Sequence, residues 1–573
     1  MIKRIALLIF ILNGVTYIFS QSFTPLNYPQ HYFQWPVGAT PGLAANFGEL
    51  RPNHYHMGLD CRTDRKENVP VYAAADGYIA RVKIEPFGFG RCIYINHQNG
   101  YTTLYAHLNA FYPELEKYVT EQQYKLQHWN IFLDIPQGLL PVKKGQYIAA
   151  SGNTGGSQGP HTHFEIRNTA NDHVLNPLLF GFEIRDNIAP DIIRLAVYDR
   201  CRSTYEQTPK IYSLRKQNGI YALVGGKIKV NSDKISFAIT AFDKYTGSTN
   251  QNGIFQAMLY DNDKFEAGFR LNDISYDETR YLNAHIDYKT RSNGGPFLQH
   301  LSRLPGYPVG VYNTDASDGV IDIKPGEVHS IKIYVADANG NISTLKFDLV
   351  LDEIIDNIAN SANDVQQQFH PGYINIFEKN SLSFFLPENA LYDSFNFRYN
   401  EMTNSQGQPV YQLHNPSVPL HTYFNVKIKA AIPAVYKDKV VMKRSYGSKE
   451  DYVYAKPVTD GKEPGWYSAA FREFGNFQLL IDSVPPTVTA MGFYNNINAA
   501  RLSRIVFAVK DNTEEIENFT ALLDRKWLRF SNDKGRNFIY NFDSYCAPGP
   551  HELLIIVKDQ AGNITEKKYS FTR

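Results

Sequence analysis

Cysteine is scarce: Cys61, Cys92, Cys201 and Cys546 are the only four in a chain of 573 residues. None stands in C-x-x-C spacing, which excludes a cysteine-ligated zinc site and a disulfide framework for a chain this long. Cys61 and Cys92 are a pair that an oxidising compartment could close. An excess of one charge is also missing. Lys+Arg 58 against Asp+Glu 57 leaves a formal charge of +1, without the basic excess that a nucleic-acid partner calls for. Charged residues at 20% beside hydrophobic residues at 43% exclude a disordered, solvating chain. Past residue 20 no window reaches the roughly 18 apolar residues of a membrane helix. No low-complexity tract or charge block divides the chain, so linkers are expected to be short. What the sequence does have is aromatic side chains: Tyr 39, Phe 36 and Trp 4 make 14% of the residues, a bias toward half-buried strands. At about 150 residues per domain the length points to about four domains, mainly β.

The first twenty residues read as an address. Lys3 and Arg4 precede an apolar stretch from Ile5 to Phe19, closed by the small Ser20. That is the n-region, h-region and small terminal residue of a secretory signal peptide, with cleavage before Gln21. No cysteine near that point can carry a lipid. The mature protein is expected to be exported, to the periplasm, the cell envelope or the medium, without a transmembrane segment.

An internal repeat organises the second half. Asp186-Asn-Ile-Ala-Pro190 and Asp482-Ser-Val-Pro-Pro486 open two segments, and Asp337-Ala-Asn-Gly340-Asn341 and Asp559-Gln-Ala-Gly562-Asn563 close them. Each closing element reads as strand, tight turn and strand, with Gly at a positive φ. It resembles the last hairpin of bacterial immunoglobulin-like modules. His329 and His551 share one repeat position at a strand start and are read as structural. The expected domains are a signal peptide over 1–20, a first domain over 21–185, and β-modules over 186–352, 353–481 and 482–573. From residue 186 onward no second cluster of His, Asp and Cys has ligand spacing, so these modules are expected to position the protein rather than to catalyse. A fragment ending near Arg185 is then expected to keep the whole site.

Among the histidines of the first 170 residues, five stand in motif-like surroundings: His54, His56, His107, His161 and His163. His56 and Asp60 are four apart, a reach of about 13 Å if extended, so both can approach one metal only if the chain bends, and Gly58 supplies the place. Ser151 to Pro160 is a glycine-rich turn feeding a strand that puts His161 and His163 on one face. Arg91 to Leu108 reads as a hairpin ending at His107.

Together these pieces resemble the zinc peptidases of family M23, the lysostaphin and LytM type. The resemblance is carried from about Gly48 to Arg167 by His56-x-x-x-Asp60, Val71-Tyr-Ala-Ala-Ala-Asp-Gly77, Tyr105-Ala-His107-Leu108, Val142-Lys-Lys-Gly145-Gln, Ser151-Gly-Asn-Thr-Gly155 and His161-x-His163. It implies an antiparallel β-sheet peptidase domain, here followed by about three β-sandwich (immunoglobulin-like) modules. It also implies one Zn2+ per chain on His56, Asp60 and His163, with His107 and His161 as unligated catalytic histidines. Which of the two is the general base is open. His54 is the rival ligand to His56 but breaks the family spacing. The substrate implied is peptide bonds of bacterial peptidoglycan, cross-links or stem peptides, with cell-envelope partners for the β-modules. The alternative is an inactive domain of the same fold that binds cell wall or activates another hydrolase. One departure from the family is an insert, Phe111 to Leu140, expected to pack as a helix and a strand beside the cleft.

Overall fold

The computed structural model describes residues 23–217, 219–308, 310–352, 366–459, 464–535 and 537–573. The signal-peptide reading of residues 1–20, and the start of the module expected from 353, lie outside the described residues.

The first domain is built on one sheet whose strands supply the site. In chain order its main elements are β1 (Leu43–Ala45), β2 (Leu59–Arg62), β3 (Gly77–Ile84), β4 (Arg91–His97), β5 (Tyr101–Ala106), α1 (Pro113–Leu126), β6 (Ile131–Asp134) and β7 (His161–Asn168). They lie side by side in the order β1-β2-β7-β5-β4-β3-β6. The pairing of β7 with its neighbours fixes the site, because His163 stands opposite Asp60 on β2 and Ala106 on β5. Period-two alternation sends Phe164 and Ile166 into the apolar core and leaves His161, His163, Glu165 and Arg167 on the other face.

The insert after His107 forms the expected helix and strand. Pro113 opens α1, the place where a missing N–H costs nothing, and Leu115 and Val119 bury one face against the core. Strand β6 pairs antiparallel with β3 at the sheet edge. Cys61 on β2 and Cys92 on β4 are both free and buried, with β7 and β5 between their strands.

The first domain does not end cleanly at residue 185. Phe47, Tyr55, Met57 and Val174 are buried in the same cluster as residues 192 to 351. The sheet itself continues through β8 (Val174–Leu175) onto β9 (Asp273–Ile274), a strand of the second module. The first two segments therefore share a core. Beyond them, residues 369–477 and 493–571 each gather their own apolar cluster, the former between two five-stranded sheets.

Both closing hairpins are present, as β10 (Val328–Ala336) with β11 (Ile342–Leu351) and β12 (Pro550–Asp559) with β13 (Ile564–Thr572). Their turns use Gly340 at φ +89° and Gly562 at φ +75°. His329 and His551 are structural: each sets Nδ1 2.6 Å from a carboxylate, that of Asp261 at a strand end or of Asp524 in a turn.

Candidate metal centre

Three elements bring the site together. His56 follows the short strand His54–Tyr55, Asp60 lies on β2, and His163 lies on β7 beside it. The bend at Gly58 is made without a positive φ. Glycine is needed there for space, since a Cβ would stand 2.5 Å from Phe164 O and 2.8 Å from His163 Nε2.

One oxygen is the focus. Asp60 Oδ1 lies 2.9 Å from His56 Nε2 and 2.9 Å from His163 Nδ1, and those two nitrogens are 3.1 Å apart. His56, Asp60 and His163 are buried and offer donor atoms within 4.8 Å of one another, an arrangement that can hold a metal ion. His161 comes close as well, with Nε2 3.3 Å from the same oxygen. The His107 ring stands 4.8 Å from that of His161 and 5.9 Å from that of His163. His54 stays outside, exposed, with Nδ1 2.8 Å from Pro52 O.

The far side of each ring is engaged, which fixes its tautomer. His56 Nδ1 meets Asn46 O at 2.7 Å, leaving Nε2 to face the centre. His163 Nε2 meets Glu165 Oε1 at 3.0 Å, leaving Nδ1. His107 Nδ1 donates to Thr154 O at 2.9 Å and His161 Nδ1 to Gly159 O at 2.8 Å. Such outer hydrogen bonds orient ligand rings and raise their basicity.

Electrostatics follow the same layout. Burial would raise the Asp60 carboxyl, but His56 and the hydrogen bonds from His161 and His163 hold it well below the usual range. Burial likewise opposes ionisation of Glu165, yet Arg167 and then His163 bring it down to about 2. Burial, and then the charges of His161 and His163, lower His107 to about 3, so it is neutral at pH 7. His107 also sits at φ +61°, a left-handed conformation uncommon outside glycine and concentrated at functional sites.

Several contributors were not read from the sequence. Glu165 carried a signal, lying two residues beyond His163 on the same strand face. Tyr276, in the second module, carried none: its hydroxyl donates to Glu165 Oε1 at 2.5 Å while its ring lies 4.9 Å from the Arg167 guanidinium. The last module also reaches the site. Asp533 Oδ1 accepts from Gly155 N at 2.8 Å, and Lys534 Nζ donates to Ser157 O at 2.7 Å and to Asn153 Oδ1 at 3.2 Å. Arg529 Nη1 bonds Thr120 and Gln123 of α1 at 3.0 and 2.9 Å, and Tyr545 stacks on Tyr124. The glycine-rich turn that carries Thr154 and Gly159, the partners of His107 and His161, is thus pinned from the last module, a contact that no local signal in the sequence announces. The expectation of no further ligand cluster past residue 186 is corrected, because Asp186, Asp243 and Asp337, and Asp482, Asp511 and Asp559, also converge. These aspartates are dozens of residues apart, so spacing could not reveal them.

Comparison with known proteins agrees with the first domain. Residues 54–124 match the family described as Peptidase family M23, and residues 366–482 that described as Zu5-like domain. An uncharacterized metalloprotease of Haemophilus influenzae is 34% identical over 131 residues, 23% of this chain and 21% of that protein. The DD-carboxypeptidase/endopeptidase Mpg of Neisseria meningitidis is 34% identical over 123 residues, 22% of each. The chain thus spans about a fifth of the length of these relatives. Among solved structures, the catalytic domain of the antimicrobial peptidase lysostaphin from Staphylococcus simulans is 22% identical, covering 24% of this chain and 91% of that one with a TM-score of 0.19.

Proposed function

We propose, for a chain that carries a peptidase family M23 domain, that it is a zinc metalloendopeptidase acting on peptide bonds of bacterial peptidoglycan. The observation that carries the reading is the convergence of His56 Nε2, Asp60 Oδ1 and His163 Nδ1 on one point with both outer ring nitrogens already engaged. Two imidazoles and a carboxylate suit Zn2+, and three protein ligands leave a position open, as catalytic zinc sites do. Zinc, when bound, supplies Lewis acidity and a nucleophile from water at neutral pH.

The chain's own residues do the rest. His107 is neutral and holds its Nδ1 proton on Thr154 O, so Nε2 keeps a lone pair able to take a proton from the attacking water and return it to the leaving amine. His161, held at Nδ1 by Gly159 O, presents Nε2 toward the candidate metal ligands, where its imidazolium form, protonated at both nitrogens, can donate to the developing oxyanion. Glu165 keeps the His163 Nε2 proton in place and Arg167 balances its charge. The relatives named as peptidoglycan enzymes, among them the peptidoglycan DD-endopeptidase ShyA of Vibrio cholerae, support the substrate class. Such a substrate places the enzyme in the cell envelope, where the β-modules would meet envelope partners.

Digestion of muropeptides with product masses tests the reading. Wild-type protein is expected to release peptide-bond cleavage products in proportion to its zinc content, and His163→Ala to bind no zinc and release none. Zinc-loaded wild-type protein that binds sacculi but yields no products would establish an inactive, wall-binding domain instead.

A further inference from the structure

The repeated modules share an acidic cluster as well as a hairpin. Asp186, Asp243 and Asp337 in one, and Asp482, Asp511 and Asp559 in the other, each bring a carboxylate oxygen within 4.8 Å of the other two. The correspondence extends to individual atoms. Asp186 Oδ1 accepts from Ile188 N at 3.1 Å, and Asp482 Oδ1 from Val484 N at 3.2 Å. Asp337 accepts from Asn341 N and Nδ2 at 2.8 and 2.7 Å, and Asp559 from Asn563 N and Nδ2 at 2.8 and 2.8 Å. Ser343 Oγ reaches Pro190 O at 2.6 Å where Thr565 Oγ1 reaches Pro486 O at 2.5 Å.

Clustered carboxylates alone are no site, but these are left unsatisfied where it matters. Asp243 is 1% exposed, and neither of its carboxylate oxygens has a hydrogen-bond partner. Whichever oxygen faces the trio is therefore free. Asp186 Oδ2, Asp482 Oδ2 and Asp511 Oδ1 are buried and unpartnered as well. Among the described residues, no Lys, Arg or His forms an ion pair with any of the six. Burial, then Asp337 and Asp186, push the Asp243 carboxyl up to about 8. Buried carboxylates without a counter-charge are costly, and an ion that replaces the missing charge removes that cost. The donors are all oxygen, which selects a hard cation over zinc, and flexible ligand number favours calcium over octahedral magnesium.

We propose that each trio binds one Ca2+, and that the two ions fasten the module junctions. The first lies where the second module meets the peptidase domain. Tyr245, two residues after Asp243, is buried in the peptidase core, and Gly253 exchanges hydrogen bonds of 2.8 and 2.9 Å with Asn46. The second lies where the last two modules meet, since Asp482 N donates to Lys439 O at 2.8 Å and Asn563 Nδ2 to Asp482 O at 3.1 Å.

Full-length protein, freed of divalent ions and reloaded with zinc, is titrated with CaCl2 by calorimetry and followed by thermal unfolding. Two ions per chain and a Tm higher by several degrees are expected. Asp243→Asn and Asp511→Asn should each lose one ion, and the double variant both, with zinc content unchanged. Each substitution removes a carboxyl group that has no cationic partner among the described residues, so without calcium each variant should unfold no lower than wild type; this separates a lost ligand from a misfolded module. Absence of binding up to several millimolar CaCl2, or two ions retained in both single variants, overturns the proposal.

Discussion

Cutting the chain after Arg185 should destroy the peptidase domain rather than release it. Phe47, Tyr55, Met57 and Val174 are between 0 and 3% exposed, within a cluster otherwise drawn from residues 192–351 and Tyr392. Full exposure of a large apolar side chain costs about 1.5–3 kcal/mol, so four of them amount to about 6–12 kcal/mol. If the first domain alone covers half of that surface, about 3–6 kcal/mol is still lost. The cut also removes the Asn46–Gly253 pair, the 2.9 Å bond from Tyr55 N to Thr279 Oγ1 and the Tyr276 bond to Glu165, each about 1 kcal/mol net. A domain is stable by only about 5–15 kcal/mol in total. A fragment over 21–185 is therefore expected to lack a cooperative transition and to bind zinc weakly, whereas one over 21–352 keeps both. Thermal unfolding by circular dichroism and zinc analysis of the two fragments compare them directly. Cooperative unfolding of the short fragment at the temperature of the long one, with equal zinc, would refute the shared core as a source of stability.

Further outcomes follow from the site. His54→Ala is expected to keep its zinc and His56→Ala to lose it, read by metal analysis; the reverse would make His54 the ligand. His107→Ala and His161→Ala should retain zinc but lose turnover by roughly 100-fold or more, the scale of general acid–base and oxyanion contributions. Loss of zinc in His161→Ala would instead make its Nε2, 3.3 Å from Asp60 Oδ1, a ligand. Lys534→Ala should lower kcat with zinc content unchanged, because it frees the turn that orients His107 and His161; an unaltered kcat would leave that contact without a role. His285 and His300 are fully buried, and burial lowers both to about 3, so the unfolded chain takes up protons near pH 6.5 that the folded one refuses. Stability is thus expected to fall as pH drops below about 6.5, by about 1.4 kcal/mol per unit for each histidine, and a Tm independent of pH from 7 to 5 would contradict it.

The sequence carried the features whose partners are close by or enforced by period. His161 and His163 share a strand face because strands alternate, and the hairpin ending at His107 is spelled by its turn residues. The two repeat ends announced their hairpins through Gly340 and Gly562. It could not carry Tyr276, Asp533 or Lys534, because nothing local distinguishes a tyrosine or a lysine that docks on another domain from one that faces solvent. The aspartate trios escaped for the same reason, with the additional disguise that each member also looks like an ordinary turn residue. Gly58 shows a subtler gap: its place between His56 and Asp60 suggests freedom to bend, yet the structure needs it for the room it leaves beside His163.

What the distant residues have in common is the layer just outside the candidate metal centre. Asn46, whose carbonyl holds His56, is itself held by Gly253 of the second module. Glu165, which holds His163, is held by Tyr276. Thr154, which holds His107, lies in the turn pinned by Asp533 and Lys534 of the last module. Each outer contact rests on one to three hydrogen bonds, so a small shift of a module changes the aim of one ring without displacing His56, Asp60 or His163. Geometry of this kind makes the rate more sensitive than metal affinity to the fit between modules, since a displacement of about 1 Å already costs a large factor in rate. Tyr276→Phe isolates the effect, deleting one hydroxyl and keeping the ring: kcat should fall while KM and the last-module contacts persist, and rescue by no other substitution at that position is expected, because only a phenol reaches Glu165 from there.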